Sequence, residues 1–187
     1  MSTSSSFAAS SGNACGKQPV SAMTAPGLVP DRRAACALVL AEAAGADGMV
    51  AGQVLDTLHA PKTEAELTEV HRLKTGAMIA GACRMGVAAA GGGDALDQAA
   101  RAYAEELGLA FQIRDDLLDV VGDEATFGKP IGSDKEEGKV TFVDLLGVDG
   151  CDAAVRAATK RAENAVAALD ADGFLSALAG SLAERKQ

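Results

Sequence analysis

From Asp31 onward the apolar residues recur at three- and four-residue steps, the spacing of a helix with one buried stripe. Asp31 is placed to cap a first helix running through Ala34, Leu38 and Ala41 to a stop at Gly45. A shorter helix over 46–58 ends at the Ala60-Pro61 break. Thr63-x-x-Glu66 has the spacing of a capping box. The helix it opens is expected to run to about Ala90, with Leu67, Val70, Ala77/Met78, Gly81 and Met85 as its stripe and Gly91-Gly92-Gly93 as its stop. Lys74 falls inside that stripe. Asp94 caps the next helix, to about Val121, which turns Leu96, Tyr103, Leu107, Phe111, Leu118 and Val121 inward. Residues 122–140 break the pattern with Gly122, Gly128, Gly132 and Gly138 interleaved with Lys129, Lys135 and Lys139. Helical spacing resumes weakly from Thr141 and more clearly over 150–170 and 172–185. No strand pattern and no internal repeat is visible, so the fold class is all-α.

Residues 1–30 carry no apolar periodicity and hold Pro19, Pro26 and Pro30. They read as a disordered or low-complexity tail, followed by one helical domain over 31–187. Composition sharpens this picture. About forty residues are alanine, aromatics make up 3% and tryptophan is absent. Such a chain favours helices packed closely through small side chains over a sheet, which draws on β-branched and aromatic residues. The formal net charge of −9 supplies no broad basic face, which excludes a nucleic-acid partner held through its phosphates. Cys15, Cys36, Cys83 and Cys151 are widely spaced and form no C-x-x-C pair, which suggests reduced thiols and a cytoplasmic setting. No uninterrupted apolar run reaches the roughly 18 residues of a membrane span, so the chain is expected not to be transmembrane.

The sharpest chemical feature is the run Phe111-Gln-Ile-Arg-Asp-Asp-Leu-Leu-Asp119. At helical spacing Gln112, Asp115, Asp116 and Asp119 share one face. Three carboxylates so close repel one another unless a counter-ion joins them, and an all-oxygen set suits a hard cation such as Mg2+. A plain solvated face satisfies the same spacing. Lys129 and Lys139, ten residues apart among glycines, have the chemistry to close over an anion; a charged surface loop reads the same way. Lys74-Thr75 is either a lysine snorkelling at a helix edge or a phosphate grip. Gln53 and Asp56 are a weaker pair of the same kind. His59 and His71 are too few for a histidine metal site and read as structural or exposed. No G-x-S-x-G elbow, P-loop or dinucleotide fingerprint is present.

Taken in order, these pieces resemble the C-terminal part of a trans-isoprenyl diphosphate synthase of the farnesyl/geranylgeranyl diphosphate synthase type. The resemblance rests on G-Q-V-L-D at 52–56, H-R-L-K-T-G at 71–76, G-L-A-F-Q-I-R-D-D-L-L-D-V-V-G-D at 108–123 and F-G-K-P-I-G-S-D-K-E-E-G-K-V-T at 127–141. It implies an isoprenoid-synthase-type helical bundle, truncated at its N-terminus, and Mg2+-dependent condensation of isopentenyl diphosphate with an allylic diphosphate. By the same resemblance Asp115, Asp116 and Asp119 match the second aspartate-rich motif, which binds Mg2+. Lys74, Thr75, Gln112, Lys129 and Lys139 match positions that contact the allylic diphosphate or its metals, and Gln53 and Asp56 line the same site. Lys74, Thr75 and Lys129 are the positions assigned to catalysis. Residues 1–44 hold no D-D-x-x-D cluster, the first motif of such enzymes. The resemblance therefore implies either a synthase completed by a second copy or another chain, or a regulatory or degenerate relative that binds diphosphate without turnover.

Overall fold

The computed structural model describes residues 23, 26–121 and 139–185. Seven α-helices stand among them: α1 Pro30–Ala44, α2 Met49–Leu58, α3 Glu64–His71, α4 Ala77–Ala90, α5 Asp94–Val121, α6 Phe142–Val166 and α7 Phe174–Ala183. Between α3 and α4 the chain makes one π-helical turn, Arg72–Gly76. No strand occurs among the described residues, as the periodicity predicts. The tail expected over residues 1–30 lies largely outside the described residues, and so does most of the Gly/Lys loop, Lys129 included.

The helix boundaries follow local chemistry. Thr63 Oγ1 accepts the Glu66 N–H at 3.3 Å while the Glu66 carboxylate accepts the Thr63 N–H at 3.1 Å, the reciprocal box the sequence predicts. Gly91 closes α4 at φ 77°, where a side chain would be strained. Two starts differ from expectation. Pro30, not an Asp31 cap, opens α1, because proline's fixed φ suits the first helical position and its missing N–H is not needed there. Thr141-x-x-Asp144 forms a second capping box, which starts α6 firmly where the periodicity is weak. A kink at Gly147 (φ 68°) explains that weakness, since it changes the register of the buried stripe along α6.

The α5/α6 pair is the spine of the fold. Ala104, Ala158 and Ala162 are completely buried, so small side chains let the two helices approach closely. Leu67, Ile113, Leu117, Phe142 and Val155 make one core cluster, and Tyr103, Leu107, Val166 and Ala179 a second. Cys36, Val39 and Met85 seal α1 onto α4. Leu96, expected to face inward, is instead exposed, because its turn lies against Gly92 at the end of the bundle. Cys36, Cys83 and Cys151 are free thiols.

Val50, Val54 and Leu58 form an exposed apolar row down α2, with Leu38 exposed on α1. Counted as one stretch, Pro30–Leu58 is 29 residues long and contains a window of mean hydropathy 1.5, enough to cross a membrane by length and composition. It is broken at Gly45–Gly48 into helices of 15 and 10 residues, each shorter than the roughly 20 a bilayer requires.

Candidate functional site

The site is built around the π-turn that carries Lys74 and Thr75. A glycine from each of two other helices packs against that turn. A Cβ on Gly52 of α2 would fall 2.5 Å from Lys74 Cα and closer still to Lys74 N, so only glycine lets α2 lie on this backbone. From α5, a Cβ on Gly108 would stand 3.3 Å from Gly76 Cα. The expected continuous helix over 64–90 is thus interrupted where three elements converge. Such π-turns inside α-helices recur at functional sites.

Lys74 does not snorkel to solvent. Its Nζ donates to Asp56 Oδ2 at 2.6 Å, an ion pair with both side chains about a third exposed or less. Thr75 is half-buried beside it. Gln53, assigned to the same site, lies on the exposed side of α2 and donates from Nε2 to Thr57 Oγ1 at 3.2 Å. Asp56 therefore joins Lys74 and Gln53 does not.

His71, which reads from the sequence as structural or exposed, is the structural one of the two histidines. Its ring stacks on Phe142 with centroids 5.6 Å apart, and its Nδ1 is buried without a hydrogen-bond partner. Burial chiefly pushes its pKa below the usual value and the Lys74 charge adds to the depression, against the opposing pull of the Asp56 and Asp115 charges and of a hydrogen bond donated to Gln112. The signal was available: Leu67, His71 and Lys74 fall at four- and three-residue steps, which puts His71 on the buried stripe.

A pH dependence follows from this. Because folding depresses the His71 pKa, the unfolded chain binds more protons in that range, and stability is lost as pH falls through about 6.5 toward the folded value. Thermal melts at pH 7.5 and 5.5 should show a drop that His71→Gln diminishes. An equal drop in the variant would remove His71 from this account.

On α5 the three aspartates do not share one environment, a correction to the single face that spacing implies. The Asp115 side chain is half exposed, and its Oδ1 accepts from Arg185 Nη2 at 2.8 Å. Asp119, one turn on, is half-buried. Asp116 is buried (8% exposed), and its Oδ2 accepts the Phe142 N–H at 2.7 Å. Successive helical residues point about 100° apart, and that rotation carries Asp116 into the α5/α6 seam. Its charge and, more strongly, burial push the Cys151 thiol up to about 11. Arg185 also stacks over the Phe111 ring at 3.8 Å and donates to Phe111 O, so the segment after α7 is folded back onto the aspartates. Lys139 is exposed, just ahead of the Thr141 cap, and Lys129 lies outside the described residues.

Among the described residues no three His, Cys, Asp or Glu side chains converge on a point that could hold a metal. Mg2+ does not require that. It typically takes one or two carboxylates and completes its octahedron with water and phosphate oxygens. Asp115 and Asp119, one turn apart and oxygen-only, fit that requirement. Arg185 fills the place of a counter-ion beside Asp115.

The polyprenyl synthetase family model matches residues 20–171. The chain belongs to the polyprenyl synthetase family. It is 47% identical over 120 residues to the farnesyl diphosphate synthase of Escherichia coli K12, covering 59% of this chain and 38% of that protein. It is 43% identical over 141 residues to the farnesyl diphosphate synthase of Geobacillus stearothermophilus, covering 72% of this chain and 46% of that one. A Helicobacter pylori geranyltransferase, solved with magnesium and isoprenyl diphosphate, superposes with a TM-score of 0.71 at 29% identity, over 86% of this chain and 54% of its own. The isoprenyl-synthase helical bundle is thereby the fold of this family member, which spans about two-fifths of the length of the curated relatives it matches.

Proposed function

We propose that this chain contributes a diphosphate- and Mg2+-binding wall to a prenyltransferase that condenses isopentenyl diphosphate with an allylic diphosphate. The observation that carries the reading is the Lys74–Asp56 ion pair, which holds an ammonium on the π-turn beside Thr75, with Asp115 and Asp119 one turn apart on α5. Lys74, Thr75 and Gln112 offer an ammonium, a hydroxyl and an amide to diphosphate oxygens, with Lys129 and Lys139 closing from the loop. Asp56 holds the Lys74 ammonium in place until an anion arrives. Asp115 and Asp119 are the carboxylates that hold Mg2+, which supplies positive charge to the departing pyrophosphate. In the reaction the allylic C–O bond breaks with its electron pair on pyrophosphate. The homoallylic double bond attacks the cation, and a proton is lost to restore the alkene.

Pyrophosphate charge calls for clamping from a second side, and the residues before α1 hold no second aspartate cluster. The exposed row Val50, Val54 and Leu58 offers a surface for a second copy or a completing chain. The same site residues fit a second reading, a regulatory or degenerate relative that binds Mg2+ and diphosphate without turnover. A product assay with Mg2+, labelled isopentenyl diphosphate and geranyl diphosphate tests completion by a second copy. Turnover that rises faster than linearly with chain concentration supports completion by a second copy. Absence of product at every concentration, with folding confirmed, excludes completion by a second copy and leaves completion by another chain or the non-catalytic reading.

A further inference from the structure

We propose that Asp116 is a positioning residue that anchors the N-terminus of α6 against α5, and not a third carboxylate for the cation; the inference rests on the proposed Mg2+/diphosphate reading. The carboxylate is buried, and its Oδ2 is committed at 2.7 Å to the Phe142 N–H, the first helical N–H of α6. A helix N-terminus carries partial positive charge and unsatisfied donors, so an aspartate here satisfies both. Its neighbours Asp115 and Asp119 are accessible where it is not.

The anchor reaches the site through Phe142. That residue is completely buried, and its ring stacks on His71, three residues before Lys74. Thr141 and Asp144 fix the same helix start by their own capping box, and Lys139 stands two residues ahead of it. Asp116 therefore sets the position of α6's first turn, which in turn sets the ring under His71 and the point from which Lys139 departs. The burial of Asp116 and its bond to the first N–H of α6 place that charge inside the α5/α6 seam, where Cys151 is also completely buried.

The distinguishing variants are Asp116→Asn, which keeps an oxygen acceptor for the Phe142 N–H but loses the charge, Asp116→Ala, which loses both, and Asp115→Asn as the ligand comparison. Each is made in the full chain and followed by thermal melting, by the His71 ring proton shifts in NMR, and by Mg2+-dependent binding of inorganic pyrophosphate. Asp116→Ala should lower the melting temperature by about 5 °C or more and move the His71 signals, because a buried N–H loses its partner. Asp116→Asn should restore both and keep the Mg2+ half-saturation within about threefold of wild type, while Asp115→Asn weakens it by about tenfold or more. A loss of Mg2+ affinity in Asp116→Asn equal to that in Asp115→Asn, with melting and His71 signals unchanged, would overturn the assignment. If the wild-type chain binds no Mg2+-pyrophosphate, the functional reading fails. The anchor is then judged on melting and His71 shifts, and an Asp116→Ala variant unaltered in both would refute it.

Discussion

Replacing Asp115 by alanine is expected to weaken Mg2+-dependent diphosphate binding by about tenfold or more, at least ~1.4 kcal/mol, and to leave folding almost untouched. The two halves of that expectation have separate causes. Asp115 is half exposed, and its ion pair with Arg185 lies at the surface, where such pairs contribute about 1 kcal/mol or less. Its proposed contribution to binding is larger, because without it only Asp119 remains of the two carboxylates proposed to hold Mg2+, Asp116 being bonded to the Phe142 N–H. Losing Asp115 also releases the Arg185 guanidinium, which favours an anion in the absence of metal. The loss should therefore appear in the Mg2+-dependent part of a pyrophosphate titration and not in the metal-free part. An unchanged titration would return these aspartates to a solvated helix face.

The second large effect is structural. Gly52→Ala should destabilise the chain by about 3 kcal/mol, near the upper end for overpacking, because the added methyl meets main-chain atoms of Lys74 that cannot rotate away. Either α2 lifts off the π-turn or the turn itself shifts, and both separate Asp56 from Lys74. Diphosphate binding should fall with stability. Gly86→Ala is the control: it lies in α4, exposed, with nothing within 4 Å of its Cβ. It should stabilise by about 0.5–1 kcal/mol, since alanine restricts the unfolded chain. Denaturant titration of both variants checks the pair, and a Gly52→Ala midpoint equal to wild type would mean α2 is not seated as described.

Much of this was legible in the residues. The 3.6-residue stripe through Leu67, Val70, Gly81 and Met85 is buried or nearly so, and Thr63-x-x-Glu66 closes its capping box. Local signals of that kind are set by neighbours three or four residues away, which a sequence displays directly. The π-turn at Arg72–Gly76 was not legible, because it depends on Gly52 and Gly108 pressing from two other helices. Nor was the parting of Asp115 from Asp116. Their spacing gives one face within a turn's tolerance, and only the arrival of the Phe142 N–H shows which of them turns inward. The Lys74–Asp56 pair bridges 18 residues, and neither residue's own spacing points to the other. The burial of His71 is readable from its step to Lys74, but its stacking on Phe142, 71 residues away, is not.

The central claim is that Lys74, Gln112, Asp115 and Asp119 together bind a diphosphate through Mg2+. Equilibrium dialysis of labelled pyrophosphate against the full chain, with and without Mg2+, addresses it most directly. Saturable binding that requires Mg2+ and is reduced by Lys74→Ala as well as by Asp115→Ala is the expected result. Equal binding with and without the metal, or none in either condition by a chain shown to be folded, would contradict it.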